Sequence, residues 1–174
     1  MVDLEPHQAR WSEDFRLESD RIRTVTAELI DALEHIGSTA VPGLTAKPIV
    51  DLAARLLPGV NATDLDEPLA SLGYRRHTAG PKTHGVFIRE DGGRRTHILH
   101  AFAVEEWEHC NQRLFRDKLL NDPSARDRYQ SLKLSIAELA DGREYTKAKT
   151  ELIEELLNEE RASRGLPPTV AWEK

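Results

Sequence analysis

The chain contains a single cysteine, Cys110, among its 174 residues. An internal disulfide is therefore excluded, and so is a metal site built from several cysteines. Long hydrophobic runs are also absent, and no segment approaches the length required to cross a bilayer. Because the first residues lack the basic and then apolar order of a secretory signal peptide, we expect a cytoplasmic protein that has no membrane partner.

Aromatic residues are scarce as well, at 6% of the chain, and the net charge is −6. Both values disfavour a nucleic acid as the partner, since nucleic-acid-binding proteins carry basic surfaces. The remaining composition, with 39% hydrophobic and 31% charged residues, is typical of a globular protein. We expect a single domain over residues 1–161 and a loose tail over residues 162–174. The sequence leaves the oligomeric state open.

Hydrophobic spacing predicts an α+β fold, in which a small mixed sheet is flanked by helices and the C-terminal half is helical. Apolar residues at helical spacing predict a first helix over residues 9–33, and the apolar run 33–36 predicts a strand directly after it. Alternating apolar residues, turn residues and helix caps define the elements that follow. The predicted strands cover residues 49–57, 74–77, 84–90 and 94–102, and the predicted helices cover residues 63–72, 105–120, 123–140 and 144–161.

Basic residues are concentrated in one segment of this acidic chain. Residues 75–104 contain two acids and six bases, together with four of the seven histidines. This segment, which includes Arg95, would suit a small polyanion such as a triphosphate. Two strands with solvated outer faces would give the same pattern, and the sequence does not decide between these interpretations.

Residues 35–51 carry the strongest functional signal. The predicted strand ends at Gly37 and Ser38, where backbone N–H groups and the hydroxyls of Ser38 and Thr39 could contact a phosphate. Asp51 lies in an otherwise apolar strand, where a carboxylate must be paired, hydrogen-bonded or bound to a metal ion. A salt bridge to an arginine is one interpretation. The one we favour is that Asp51 holds a divalent ion that bridges the phosphates.

The order of residues in this segment resembles the GrpB family, also called UPF0157. Residues 35–44 read His-Ile-Gly-Ser-Thr-Ala-Val-Pro-Gly-Leu, and residues 46–51 read Ala-Lys-Pro-Ile-Val-Asp. Outside this segment, the family's order is matched by Trp11, Phe15, residues 96–102 (Thr-His-Ile-Leu-His-Ala-Phe), Phe115-Arg116-Asp117, Tyr129, Lys133 and Lys149. The resemblance covers nearly the whole chain, and the family is similar to the nucleotidyltransferase superfamily and is also found fused to dephospho-CoA kinases.

The resemblance implies a nucleotidyltransferase-like fold, an NTP as substrate and Mg²⁺ or Mn²⁺ as cofactor. In the superfamily a helical lysine commonly meets the triphosphate, and Lys133 or Lys149 would serve this role. Arg116, which precedes Asp117, would form either an internal salt bridge or a phosphate clamp. The expected phosphate-binding residues are His35, Gly37, Ser38, Thr39, Lys47, Arg95, Arg116, Lys133 and Lys149.

The chain departs from the superfamily pattern at Ala53. An active nucleotidyltransferase usually has a second acid two residues after the first, on the same strand face, so that two acids share two metal ions. Glu34 could supply a metal ligand from the preceding strand, and His97 or His100 could act as a replacement ligand or as a base. Because these histidines point to opposite faces of a strand, we expect one to face Asp51 and the other to face the core or the helices.

These observations lead to two functional hypotheses. The first is metal-dependent transfer of a nucleotidyl group from an NTP to a small-molecule acceptor, with Asp51, His97 and His100 as candidate catalytic residues. The second is a binding or helper module that holds a phosphorylated ligand without turnover, as in the fusions to dephospho-CoA kinase. The sequence identifies neither the nucleotide nor the acceptor.

Overall fold

A computed structural model of the chain describes residues 4–137 and 142–170, and it describes the side chains of residues 4–135 and 149–170. The predicted end of a helix at Ala140 lies outside the described residues. Within them, no helix has the length and apolar character of a membrane span. The helices are α1 (Arg10–Thr26), α2 (Asp66–Ala70), α3 (Asn111–Asn121), α4 (Pro123–Ala137) and α5 (Gly142–Ser163). The strands are β1 (Ile30–Ile36), β2 (Val50–Leu56), β3 (Tyr74–Arg76), β4 (Gly85–Asp91) and β5 (Arg94–Phe102).

The five strands form one mixed sheet in the order β1-β2-β5-β4-β3. Strands β2 and β5 run parallel, and the other neighbouring strands are antiparallel. Gly92 and Gly93 make the turn between β4 and β5, and both have a positive φ, as the Asp-Gly-Gly sequence predicts. The α+β prediction, with a small mixed sheet and a helical C-terminal half, is confirmed.

Strand alternation gives the sheet two different faces. On one face, helices α1 and α2 cover the main core, in which Leu52 and Leu99 are fully buried. On the opposite face, Asp51 of β2 stands beside Ile98 of β5, and Ala53 stands beside His100. This second face is where the candidate site forms.

The C-terminal helices build a second core against the loop that joins β1 to β2. Val41 and Leu44 of that loop are fully buried in a cluster with Leu114 of α3, Tyr129 of α4 and Leu156 of α5. Burial of apolar side chains is the main favourable term in folding. Packing against the helical half of the chain therefore holds the loop in position.

The first helix ends earlier than its hydrophobic spacing predicts. Helix α1 stops at Thr26 and β1 begins at Ile30, so the prediction of a helix over residues 9–33 is wrong for its last turns. The pairing of β1 with β2 is irregular between Ile30 and Ala32, and both Ile30 and Leu33 are buried. This irregularity gives the strand a three-residue spacing of buried side chains, which imitates a helix.

A buried carboxylate joins α1 to the sheet on the core side. Glu18 is 3% exposed, and its carboxylate accepts hydrogen bonds from the Tyr74 hydroxyl at 2.8 Å, from Arg89 at 2.7 Å and from Arg21 at 2.9 Å. Burial alone raises the pKa of Glu18, but the hydrogen bonds from Tyr74 and Arg89 and the nearby His97 lower the pKa overall. The ionised carboxylate therefore ties α1 to strands β3 and β4.

The chain after α5 folds back onto that helix. Arg161 donates from Nε to the Pro167 carbonyl at 2.6 Å. The Asn158 side chain donates to the Thr169 carbonyl at 2.9 Å and accepts from the Thr169 N–H at 2.8 Å. These contacts join α5 to Pro167 and Thr169, which belong to the segment that the sequence predicts to be loose.

Candidate active site

A pocket of about 300 Å³ opens where β1 ends and β2 begins. The second face of the sheet is its floor, with Ile36, Asp51 and Ile98 side by side. Its volume lies at the lower end of the range found for small-molecule sites. Most of the predicted site residues line it together with Asp51, namely Gly37, Ser38, Thr39, Lys47, Arg95, His100, Arg116, Lys133 and Lys149.

Gly37 makes the turn that allows Asp51 to approach the loop. Its φ is +73°, in the left-handed region that favours glycine. A Cβ at this position would overlap the Asp51 carboxylate. The glycine therefore lets the carboxylate lie directly against the loop backbone, next to Ser38.

We expect Gly37→Ala to displace the Asp51 carboxylate and to lower the free energy of unfolding by about 2 kcal/mol or more. With a ψ of −174°, Gly37 has a backbone conformation that is essentially restricted to glycine and is unfavourable by roughly 1–3 kcal/mol for other residues, and the overlap with Asp51 adds to this. Gly59→Ala is the matched control, because Gly59 has a φ of +82° and no atom within 4 Å of its Cβ position. Thermal unfolding measures both variants, and equal losses would contradict the close approach of Asp51.

Lys133 connects α4 to the predicted phosphate-binding turn. It is 6% exposed, and its Nζ donates hydrogen bonds to the Ser38 hydroxyl oxygen at 3.0 Å and to the Thr45 carbonyl. The ammonium also lies 5.3 Å from the centre of the Tyr129 ring, within the range of a cation–π contact. A buried positive charge beside Ser38 is well suited to attract a phosphate to this turn.

Gln130, which the sequence reasoning missed, holds the loop that leads from Ser38 to Asp51. Its Oε1 accepts a hydrogen bond from the Thr45 N–H at 2.9 Å, and its Nε2 donates to the Thr45 hydroxyl at 2.6 Å. With Lys133 at the Thr45 carbonyl, helix α4 binds the N–H, hydroxyl and carbonyl groups of one loop residue. The available signal was the three-residue spacing of Gln130 and Lys133, which puts them on one helix face.

His35 lies on the core face of the sheet rather than in the pocket. It stands opposite Leu52 in the β1–β2 pairing, and its ring stacks on Phe15 with 4.8 Å between the ring centres. Because it is one residue before Ile36, strand alternation turns it away from Asp51. This corrects the expectation that His35 contacts a phosphate.

Thr39 lines the pocket, but its hydroxyl is used inside the protein. The hydroxyl donates to the Ile49 carbonyl at 3.2 Å and lies 2.9 Å from Nε2 of His35. Burial and the positive charge of Arg116 lower the pKa of His35 to about 4, so its ring is neutral at pH 7. With the Thr39 proton directed at Ile49, the Nε2 nitrogen of His35 must donate. The pair thereby holds the loop in place.

The two histidines of β5 lie on opposite faces, which confirms the prediction from strand alternation. His100 lines the pocket and stands beside Ala53 of β2. His97 lies on the core side, with its Nδ1 2.9 Å from the Thr96 hydroxyl, and burial lowers its pKa although Glu18 opposes this. The sheet separates His97 from the pocket, which corrects the expectation of a catalytic role for it.

Ala53, where the superfamily resemblance implies a second acid, is buried between Glu34 of β1 and His100 of β5. Ala53 is fully buried, in a cluster with Ile36, Phe102, Trp107 and Cys110. It does not line the pocket. A carboxylate here would be buried next to the Glu34 carboxylate, which is unfavourable. The departure from the superfamily pattern thus involves the surroundings of the residue as well as the residue itself.

Glu34 stands opposite Ala53 in the sheet, but two arginines hold its carboxylate. Arg113 donates to both carboxylate oxygens at 3.0 Å, and Arg116 approaches one of them at 2.8 Å. Burial alone raises the pKa of Glu34, and the hydrogen bonds from both arginines lower the pKa overall. Arg113 also stacks on Trp107, 4.1 Å from the ring centre. Glu34 does not line the pocket, which corrects its assignment as a metal ligand.

Bases outnumber acids among the described side chains that line the pocket. Within this part of the chain the lining contains one acid, Asp51, and five bases, which are Lys47, Arg95, Arg116, Lys133 and Lys149. Arg116 is held by Glu34 and Asp117, and it donates to the His35 carbonyl at 3.0 Å, so of the two alternatives for Arg116 the internal salt bridge is observed. Of the basic segment 75–104, Arg95 lines the pocket, whereas Arg75, Arg76 and Arg89 form ion pairs elsewhere.

The pocket can hold a metal ion if a ligand supplies further oxygen atoms. Among the side chains that the structure describes, no group of three His, Cys, Asp or Glu residues could hold a metal ion. Mg²⁺ is commonly bound by one or two carboxylates together with substrate phosphates. The available residues therefore fit a metal ion that arrives with a phosphorylated ligand and uses Asp51 as its protein carboxylate.

The chain belongs to the GrpB family, because the family model of the GrpB protein matches residues 1–159. A UPF0157 protein of Pseudomonas aeruginosa is 33% identical over 172 residues, which cover 95% of this chain and 70% of that protein. The crystal structure of the conserved protein GrpB from Enterococcus faecalis is similar with a TM-score of 0.78 at 24% identity, and the match covers 94% of this chain and 99% of that one. The resemblance to the family is thus confirmed.

Two further similarities involve proteins whose names state a function. A dephospho-CoA kinase of Mycolicibacterium paratuberculosis is 28% identical over 168 residues, which cover 81% of this chain and 40% of that protein. The Cid1 poly(U) polymerase, bound to MgATP, matches 72% of this chain and 45% of its own with a TM-score of 0.44 at 12% identity. The first match agrees with the fusions to dephospho-CoA kinases that the family resemblance implied.

Proposed function

We propose that the pocket binds a nucleoside triphosphate and that the chain transfers its nucleotidyl group to a small-molecule acceptor. The observation that best supports this proposal is the hydrogen bond from Lys133 to the Ser38 hydroxyl, in a pocket that Asp51 also lines. A hydroxyl-bearing turn, a strand carboxylate and a helical lysine are the parts that the superfamily resemblance calls for, and here they meet in one place.

In this proposal the residues act by positioning the reactants and by neutralising charge. The turn at Ser38 and the ammonium groups of Lys133 and Lys149 bind the phosphates, and Asp51 holds the Mg²⁺ or Mn²⁺ that accompanies the nucleotide. The metal ion, when bound, polarises the phosphate and neutralises part of its charge. His100 is the base for the acceptor hydroxyl, because it lines the same pocket.

A second candidate function is a helper module that holds a phosphorylated ligand without turnover. The burial of Ala53 favours it, because the two-metal clamp on the attacking and leaving oxygens needs a second carboxylate. The similarity to part of a dephospho-CoA kinase also favours it, since a domain attached to another enzyme need not be catalytic itself. Both candidates require a phosphorylated ligand in the pocket, and they differ in turnover.

We expect a nucleoside triphosphate with Mg²⁺ to raise the melting temperature by roughly 5–10 °C at about 100 times its dissociation constant, because it binds the folded state alone. Asp51→Asn should remove the metal-dependent part of this shift, since the amide keeps the shape of the side chain and loses its charge. Thermal scans with each of four triphosphates, with Mg²⁺, with Mn²⁺ and with a chelator, measure the shift.

Asp31→Asn is the control for Asp51→Asn. Asp31 is also an acid on a strand, but it pairs with Arg55 at 2.7 Å and does not line the pocket, so the ligand-induced shift should persist. The absence of a shift with every triphosphate in the wild type would contradict nucleotide binding. Pyrophosphate release with varied acceptors separates the two candidates, because a helper module shows the thermal shift without turnover.

A further inference from the structure

Three polar side chains in a row lead from the pocket to the surface. Nδ1 of His100, which lines the pocket, lies 2.9 Å from Nε2 of His84. Nδ1 of His84 lies 3.0 Å from the hydroxyl oxygen of Thr83, an exposed residue. One ring nitrogen of His84 therefore contacts His100, and the other contacts Thr83 at the surface.

The ring of His84 is held in the position that this row requires. It stacks on Phe102, with 4.4 Å between the ring centres, and its neighbour Gly85 begins β4. Burial lowers the pKa of His84 to about 4, so the ring is neutral at pH 7. A neutral imidazole has one N–H and one lone pair, and it can therefore accept a proton on one side while it releases a proton on the other.

We propose that His100, His84 and Thr83 form a proton relay that carries the proton of the acceptor hydroxyl from the pocket to solvent. This inference rests on the proposed nucleotidyl transfer and assigns two further residues to it. His84 and Thr83 are positioning residues, because they touch neither substrate nor metal and act through His100.

The protons balance along the relay. Before the reaction, His100 and His84 each carry their proton on Nδ1, and Thr83 accepts from His84. The acceptor oxygen attacks the α-phosphorus, the bond to pyrophosphate breaks, and the acceptor proton moves to Nε2 of His100. The Nδ1 proton of His100 moves to Nε2 of His84, the Nδ1 proton of His84 moves to Thr83, and the hydroxyl proton of Thr83 passes to water.

The relay avoids a build-up of charge in the pocket. A base that kept the acceptor proton would become a cation beside the five basic side chains of the described lining, where a further positive charge is unfavourable. After the relay has acted, both imidazoles are neutral again. The only change is that the proton of each ring has moved from Nδ1 to Nε2. The hydrogen bonds at 2.9 Å and 3.0 Å accommodate either direction, since each needs one donor and one acceptor.

Imidazole ¹⁵N NMR tests the coupling of the two rings without any need for turnover. In the whole chain at pH 7, His84 should be neutral, and one proton should be shared across its contact with His100. His84→Phe keeps the stacking on Phe102 and removes both ring nitrogens, so the Nδ1 resonance of His100 should shift. His109→Gln is the control, because the His109 ring is half-exposed and its partner is Glu106, which is not part of the relay. An unchanged His100 resonance in His84→Phe would overturn the relay.

Steady-state pyrophosphate release tests the role of the relay in catalysis. His84→Phe should lower kcat by about 10- to 100-fold, the usual effect of losing a residue that orients a catalytic group, and should leave KM for the triphosphate unchanged. Thr83→Ser, which keeps the hydroxyl, should retain more activity than Thr83→Val. An unchanged kcat in His84→Phe would overturn the relay. No turnover in the wild type would contradict the proposed function instead, and the NMR result would still decide whether the rings are coupled.

Discussion

Ala53→Asp should lower the free energy of unfolding by about 2–4 kcal/mol and should not create a second metal ligand. Ala53 is fully buried among Ile36, Phe102, Trp107 and Cys110, so a carboxylate there loses its hydration. Arg113 and Arg116 already form ion pairs with Glu34, so a new carboxylate at position 53 would have to compete with Glu34 for them. Thermal and denaturant unfolding measure the loss, and pyrophosphate release measures whether any activity is gained.

Ala53→Asn separates the effect of charge from the effect of size. The two variants have nearly the same shape, so at pH 7 the aspartate should be the less stable of the two. Burial raises the pKa of a carboxyl group, so the penalty should be absent near pH 4, where the group is protonated, and should grow as the pH rises. An aspartate variant that is as stable as the wild type and turns over faster would show that the position is open to the site.

Glu18→Ala should destabilise the fold by about 3–5 kcal/mol, the usual effect of removing one partner from a buried ion pair. The variant leaves the Arg89 guanidinium and the Tyr74 hydroxyl without their acceptor at the contact between α1 and the sheet. For a protein of this length, that loss corresponds to a fall in melting temperature of roughly 6–20 °C. Thermal unfolding at pH 7 measures the fall directly.

Glu13→Ala is the matched control on the same helix. Glu13 pairs with Arg16 at 2.6 Å, but both side chains are exposed, and exposed pairs contribute little. Because the folded pKa of Glu18 lies below its unfolded value, its contribution is complete above that unfolded value, near pH 4.5, and is lost as the pH falls through the folded value. The gap between Glu18→Ala and the wild type should therefore close on acidification, and a gap that stayed constant would contradict an ionised Glu18.

Much of the fold could be predicted because its signals are local. Turn residues such as Gly92 and Gly93, together with the alternation in β5, depend only on neighbours in sequence. The errors lie at helix boundaries. The irregular start of β1 imitated a helical period, and α3 begins at Asn111 rather than at residue 105 because Trp107–His109 form a separate 3₁₀ turn.

The part of the candidate site that depends on local residue order could be predicted from the sequence. Asp51, Ser38 and Lys133 were identified from residue type and family order, and the structure brings them into one pocket. The partners of Glu34 could not be identified, because Arg113 lies 79 residues away in sequence and reaches Glu34 only through the packing of α3 on the sheet. The hydrogen bond between His84 and His100 likewise depends on the register of β4 against β5.

Because α4 holds Thr45 by hydrogen bonds, ligand binding in the pocket and the docking of the C-terminal helices are energetically coupled. Gln130 and Lys133 hold the loop through its backbone and hydroxyl groups, and the helices bury Val41 and Leu44 of the same loop. A ligand that tightens the loop must therefore also stabilise the docking of the helices, and the reverse holds by the same amount of free energy. In a longer protein that carries such a domain, a neighbour that shifts α4 would change the affinity of the pocket without contributing a side chain to it.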